Sequence, residues 1–336
     1  MSKCKITTLS PIHIGSGEQF EENYNMLQKD GLVYIYDEFK ISEFFLENNL
    51  GIPSSLGEMQ QKMKQYRDKI IQANIHIRKL QTSLLVNKPL FEMVSTQGNP
   101  IITGSSIKGA LRTAILDSLK NSPEKSQKIA NSLRNKKIDK SRFENKRGKN
   151  IEAFDKDFAN IFKYLKVSDS IGELETKVYK TINIKKNREH QKHRAHKVKE
   201  LENFVESLKP NQTFEISIDD CSDETIFENL GSMCNGFYIP KIKEELGYYF
   251  KVSSGISEKI KSLNNRVFII NVGKFGGGEH KSINGLRWIK MVKDGDKSKT
   301  TARTFATESS VKDETYFEKS LLPFGWLLCE VVGGDK

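Results

Sequence analysis

The chain has 336 residues, enough for two ordinary domains with cores of their own, and 37% hydrophobic with 29% charged residues is the balance of a globular protein. No apolar run approaches the roughly 18 residues of a membrane span, and four scattered cysteines without a CxxC pair exclude a disulfide framework and a zinc ribbon. The net charge of +11 is concentrated: residues 120–150 hold eleven Lys/Arg against three Asp/Glu and residues 177–199 nine against one, the footprint of a polyanion-binding surface on a neutral-to-acidic body.

The first residues, Met1 to Ile6, lack the apolar core of a signal peptide, so the expected location is cytoplasmic. Cys4, Ile6 and Thr8, then Ile12 and Ile14, alternate with Lys5, Thr7 and His13, which predicts a half-buried strand, interrupted at Pro11 and ended at Gly15-Ser16-Gly17. Residues 32–36 follow a Lys29-Asp30-Gly31 turn as a second strand, and 39–50 read as a short helix. Residues 58–85 contain no Gly or Pro and read as a longer helix, with 87–100 as loop. Ser105 and Ser106 are N-cap candidates for the clearest helix, since Ile107, Ala110, Leu111, Ala114 and Ile115 share one face. Residues 120–150 form a polar insertion; strands are expected at 165–167 and 177–184, a helix over 198–208, and a strand at 213–218. A boundary falls near Asp219-Asp220-Cys221-Ser222-Asp223. Beyond it, 224–249 are expected to be mostly helical, 267–272 to form a buried strand running into glycine, and 324–332 to form the last strand. Strands interleaved with helices in both halves give an α+β fold in two units, 1–220 with insertions near 51–100 and 120–150, and 221–336.

Two segments carry chemistry. Thr103 to Arg112 places a glycine, two hydroxyls and backbone amides at a helix start, a favourable seat for a phosphate, with Lys108 and Arg112 four residues apart on one flank. The plainer reading is a capped helix with two surface cations. Gly273-Lys274-Phe275-Gly276-Gly277-Gly278 lets backbone approach a ligand closely and permits positive φ, and Phe275 is placed to stack on a base. It has neither a P-loop ending nor dinucleotide spacing, and its plainer reading is a tight turn with a core Phe. His190, His193 and His196 do not share one helical face, so no metal is expected there. With Lys185, Lys186, Arg188, Lys192 and Arg194 they read better as charge facing a polyanion.

Leu9-Ser10-Pro11-Ile12-His13-Ile14-Gly15-Ser16-Gly17, Thr103 to Arg112, Val167-Ser168-Asp169-Ser170 and the Gly273 to Gly278 loop, in that order, resemble the RAMP superfamily of CRISPR-associated proteins, and within it the Csm group. Size and tandem halves look most like that group's fifth subunit in type III-A effector complexes. The resemblance implies two ferredoxin-like (RRM-like) domains in tandem with helical and basic loop insertions. It implies a CRISPR RNA-binding subunit that caps the backbone filament toward the crRNA 3′ end and supports crRNA maturation and assembly. Ser105, Ser106, Lys108 and Arg112 would then meet phosphates, with Gly273, Lys274, Phe275, Gly276, Gly277 and Gly278 against RNA or a neighbouring subunit. The implied partners are CRISPR RNA, target RNA by proximity, and other Csm subunits, chiefly the repeated backbone subunit and the small subunit; no cofactor and no membrane are implied. Asp169 reads as a turn residue. The rival reading is a metal-independent endoribonuclease processing CRISPR precursor RNA, with His13 as general base, Ser16 nearby and Lys108 stabilising the phosphorane. A third is an assembly protein that barely touches RNA.

Overall fold

A computed structural model describes residues 2–119, 162–163, 165–185, 196–197, 202–220, 226–249, 254–284, 289–291, 295–297, 302–308 and 321–333. The basic segment 120–150 lies outside these residues, as do Lys186, Arg188, His190, Lys192, His193 and Arg194.

Strand β1 (Ser2–Thr8) keeps the expected alternation, with Cys4, Ile6 and Thr8 buried and Lys3 and Lys5 facing out. It is central in a five-stranded antiparallel sheet of order β14 (Val267–Asn271), β19 (Trp326–Val332), β1, β13 (Thr213–Asp220) and β9 (Leu165–Val167). Helices α4 (Gly104–Leu119) and α5 (Ile226–Tyr249) pack on it and on each other. The predicted stripe Ile107, Ala110, Leu111, Ala114 and Ile115 enters the same core as Phe237, Tyr238, Phe268, Ile270 and Trp326. In chain order β1, α4, β9, β13, α5 and β19 form the βαββαβ arrangement of a ferredoxin-like unit, with β14 as an added edge strand.

The division drawn after residue 220 does not separate the sheets. β14 and β19 share a sheet and a core with β1 because β1 offers two hydrogen-bonding edges, and β19 fills the one that β13 leaves open.

The second sheet has ten strands. Its main path runs β2 (Gly15–Phe20), β6 (Leu90–Met93), β12 (Phe204–Leu208), β10 (Thr176–Lys185), β5 (Arg78–Gln81), β4 (Leu32–Ile35) and β3 (Met26–Lys29). Strands β11 (His196–Lys197) and β17 (Ala302–Thr307) pair with β10, and β18 (Leu322–Pro323) pairs with β17. Helices α1 (Glu38–Glu47), α2 (Leu56–Gln65) and α3 (Arg67–Gln72) close one side through Leu27, Tyr34, Phe44, Phe45 and Met63. Two short hairpins complete the described strands, β7 (Ser95–Thr96) with β8 (Asn99–Pro100) and β15 (Ile289–Met291) with β16 (Gly295–Lys297). No helix among the described residues is long and apolar enough to cross a membrane.

Four local expectations are corrected. Residues 58–85 are not one helix: α2 stops at Tyr66, α3 is followed by Asn74 at φ 56, and 78–81 pair with β4. Residues 204–208 form a strand buried at every position, because they lie between β6 and β10 with both faces covered, a pattern that periodicity alone does not separate from helix. Residues 90–93 are a strand, not loop, and Gly15-Ser16-Gly17 open β2, with a register shift between Gly15 and Gln19 absorbing the glycines.

Candidate functional site

After β1 the chain crosses from the first sheet to the second. Leu9 N donates to Trp326 O at 2.9 Å, and Ile12 and Leu208 exchange backbone hydrogen bonds of 3.3 and 2.9 Å. The glycine-rich loop after β14 docks on this crossing: Lys274 N donates to His13 O at 2.7 Å, and a side chain on Gly273, at φ 77, would collide with the same carbonyl. A Cβ on Gly276 would strike the Asn271 carboxamide, and one on Gly277 the Arg303 guanidinium. These glycines therefore let the loop lie flat on buried protein groups.

A polar platform underlies the loop. His280 Nδ1 pairs with the Gly276 carbonyl, and its Nε2 lies 3.6 Å from Glu245 Oε1. Trp326 Nε1 donates to Glu245 Oε2 at 2.8 Å, while Arg303 lies 3.7 Å from Glu245 and pairs with Glu279. Burial drives the Glu245 carboxyl upward against the opposing pull of Arg303, and drives His280 well below the usual histidine range, so His280 is neutral.

The start of α4 differs from the expected N-cap. Ser105 and Ser106 sit inside the first turn; the Ser106 amide donates to Thr103 O at 3.0 Å, and Asp169 Oδ1 accepts from Gly104 N at 2.7 Å. The position expected for a phosphate at the helix start thus holds a carboxylate, which favours the same positive helix end. Gly104 is required because a Cβ there would overlap the Val167 carbonyl. Asp169, read as a turn residue, is the cap; being 65 residues away in the chain, it gave no local signal.

The two glycine motifs meet. A cleft of about 620 Å³ opens between one flank of α4, the segment 13–18, and the loop at Gly273 and Lys274. Ser105, Ser106 and Arg112 line it from α4, Lys274 and Lys281 from the other side, and Glu18 and Glu92 from the third. Lys108, half-buried, is not among the lining residues, so the expected Lys108–Arg112 pair is split. Phe275 also departs from expectation. At φ 71 it turns into the core formed by Tyr179, Val205, Ala306 and Phe324, with ring centres 5.3 Å from Phe324 and 5.7 Å from His13, and does not line the cleft. Lys185 lies in β10, paired with Ala302 and His196.

His13 lies in the crossing segment, fully buried, not on the polar side of a strand. Its Nδ1 is 2.6 Å from the Glu206 carbonyl, and burial lowers its pKa to about 4. Ser16 Oγ is bound to Glu92 Oε2 at 2.7 Å and Lys108 is not in the cleft, so the expected His13, Ser16 and Lys108 grouping is not assembled. A hub missed in the sequence supports this region. The Glu206 side chain, fully buried, accepts from Arg78 (2.8 Å), Thr176 (2.7 Å) and Met93 N (3.1 Å), and Arg78 also holds Glu92 at 2.8 Å. Arg78 was hidden inside the expected helix, and Glu206 inside another.

Comparison with solved structures finds the same fold over 98% of the chain. A chain in the "Cryo-EM structure of Csm-crRNA-target RNA ternary complex in type III-A CRISPR-Cas system" superposes with TM-score 0.64 at 16% identity, covering 98% of this chain and 100% of that one. T.onnurineus Csm5, in a crystal structure, superposes with TM-score 0.60 at 16% identity and the same coverages. No curated protein matches the chain. A family model described as RAMP superfamily matches residues 5–279, most of the length, and the chain belongs to the RAMP superfamily.

Proposed function

We propose that the chain is a CRISPR RNA-binding subunit of a type III-A (Csm) interference complex, capping the backbone filament toward the crRNA 3′ end and supporting crRNA maturation and assembly without cleaving RNA itself. The observation that carries the reading is the cleft: Arg112 from α4, and Lys274 and Lys281 from a segment more than 160 residues further along the chain, converge on one opening. Cations grouped in this way neutralise phosphates and release counterions. Whole-length likeness to a chain of a Csm complex with crRNA and target RNA supports the same assignment and its partners: CRISPR RNA, target RNA, and neighbouring Csm subunits. In this reading the cleft holds the guide backbone, and sequence is read by base pairing of the guide. A base with pKa about 4 is a weak proton acceptor, which supports a non-catalytic His13.

The test is RNA affinity at several salt concentrations. Each lost phosphate contact flattens the log–log slope by about 0.7 for a single strand, so Arg112→Ala/Lys274→Ala is expected to flatten it by roughly 1.4. A flat slope in the native protein would favour the pure assembly role. Cutting of a repeat-containing RNA by the purified protein in EDTA would overturn the non-catalytic assignment.

A further inference from the structure

The cleft has two chemically different walls. Arg112, Lys274 and Lys281 only donate hydrogen bonds, whereas Glu18, Glu92 and the ring of His13 offer acceptors. A phosphodiester brings acceptors alone, so it matches the first wall; on the second, Glu92 is already held by Arg78 and Ser16, and His13 is the acceptor that a phosphodiester leaves unmet.

His13 defines what the second wall wants. The Glu206 carbonyl can only accept, so the proton of the neutral ring sits on Nδ1, and Nε2 presents a lone pair. That nitrogen is buried and has no hydrogen-bond partner among the described residues, a state that costs stability unless something supplies a donor. The ring is held there from behind. Its Glu206 anchor is clamped by Arg78, Thr176 and the Met93 amide, and its face packs on Phe275.

Over Nε2 lies Gly15. A Cβ at that position would stand 3.2 Å from Nε2, and Gly15 is not among the residues with positive φ, so backbone conformation does not demand a glycine. Its missing side chain leaves space beside the buried Nε2 on the side of the cleft that His13 and Gly15 both line. The cleft volume of about 620 Å³ falls inside the roughly 300–1,000 Å³ of small-molecule sites.

We propose that the cleft seats a ribonucleotide with its phosphate on the Arg112, Lys274 and Lys281 side and its 2′-hydroxyl donating to His13 Nε2, so that the site selects RNA over DNA. The proposal rests on the cleft being an RNA site. The 2′-hydroxyl is the donor that an RNA backbone has and a DNA backbone lacks. The ring accepts the hydrogen bond and no bond is broken.

The test compares oligouridylate and oligoadenylate with their deoxy counterparts on the full chain. Native protein is expected to prefer each RNA by about three- to tenfold, the worth of one net hydrogen bond. His13→Phe keeps a ring against Phe275 and removes the acceptor. Gly15→Ala leaves His13 in place and sets a methyl over Nε2, which keeps the test valid if His13→Phe does not fold. Both variants are expected to lose the difference between RNA and DNA affinity that the native protein shows. RNA preference that survives in Gly15→Ala overturns the proposal, and so does equal native affinity for RNA and DNA. A native preference for one base in both sugar forms assigns the donor to a base amino or imino group and overturns the ribose assignment. Absence of salt-dependent binding to any of the four would instead sink the RNA-site reading beneath it.

Discussion

Gly273→Ala asks whether the glycine-rich loop is shaped by the protein beneath it. Gly273 has φ 77, where an L-residue pays about 1–2 kcal/mol. Its new methyl would overlap the His13 carbonyl oxygen and stand 3.1 Å from the carbonyl carbon, and backbone cannot yield as a flexible side chain does. The 2.7 Å bond from Lys274 N to that carbonyl would be strained or lost, a further ~1 kcal/mol. The sum is about 2–3 kcal/mol, read as a lower midpoint at unchanged slope in equilibrium urea unfolding. Gly109 is the internal contrast: it lies within α4 with open space around it, so Gly109→Ala is expected to stabilise by roughly 0.5–1 kcal/mol. If Gly273→Ala instead unfolds within about 0.5 kcal/mol of the native protein while RNA affinity falls, the glycine serves the ligand and the packing argument fails.

Two further predictions concern buried charge. Arg78→Ala leaves the fully buried Glu206 carboxylate without its cation and is expected to cost about 3–5 kcal/mol, with Arg78→Ala/Glu206→Gln recovering part of it; a loss under ~1 kcal/mol in the single variant would show the pair to be unimportant. The pH dependence of melting follows from His13 and His280, both depressed by burial. Between the ordinary histidine value near 6.5 and the His13 value of about 4 the unfolded chain binds more protons, so their contribution is whole above about pH 6.5 and is lost as pH falls. Glu245, raised by burial, acts oppositely, its contribution growing as pH falls. Glu245→Gln should therefore lose melting temperature more steeply than the native protein between about pH 6.5 and 5, and parallel profiles would refute the assignment.

The elements that could be read from the sequence are those whose burial pattern is locally periodic. β1 shows the alternation of Cys4, Ile6 and Thr8, and α4 the stripe from Ile107 to Ile115, because each has one buried face. Strand β12 has no exposed face, and β5 takes its conformation from the register of Val33 with Leu80, a contact 47 residues distant in the chain. The site divides in the same way. Glycine at 104, 273, 276 and 277 was visible as a requirement for close approach, but what approaches is the carbonyl of Val167 or His13, the Asn271 carboxamide or the Arg303 guanidinium, none of which composition can pair with a glycine. Phe275 illustrates the limit: an aromatic in a glycine-rich loop is placed equally well for a base or a core, and its orientation toward Phe324 chooses the core.

The crossing segment at residues 9–14 explains why the motifs converge at all. One end of it is tied to β19 through Leu9 and Trp326, and the middle to β12 through Ile12 and Leu208, so it spans the seam between the two sheets. Residues 273 and 274 dock on the His13 carbonyl, while Glu206, one strand residue pair from that seam, holds the His13 ring. The cleft is therefore walled from both sides of the seam: its cations come from α4 and from the loop after β14, both belonging to the first sheet, and Glu18 and Glu92 come from β2 and β6 of the second. A ligand that bridges Arg112 and Lys274 is held by the first sheet's layer, and its binding energy is coupled to the contacts between the two sheets only where it also meets the wall of Glu18 and Glu92.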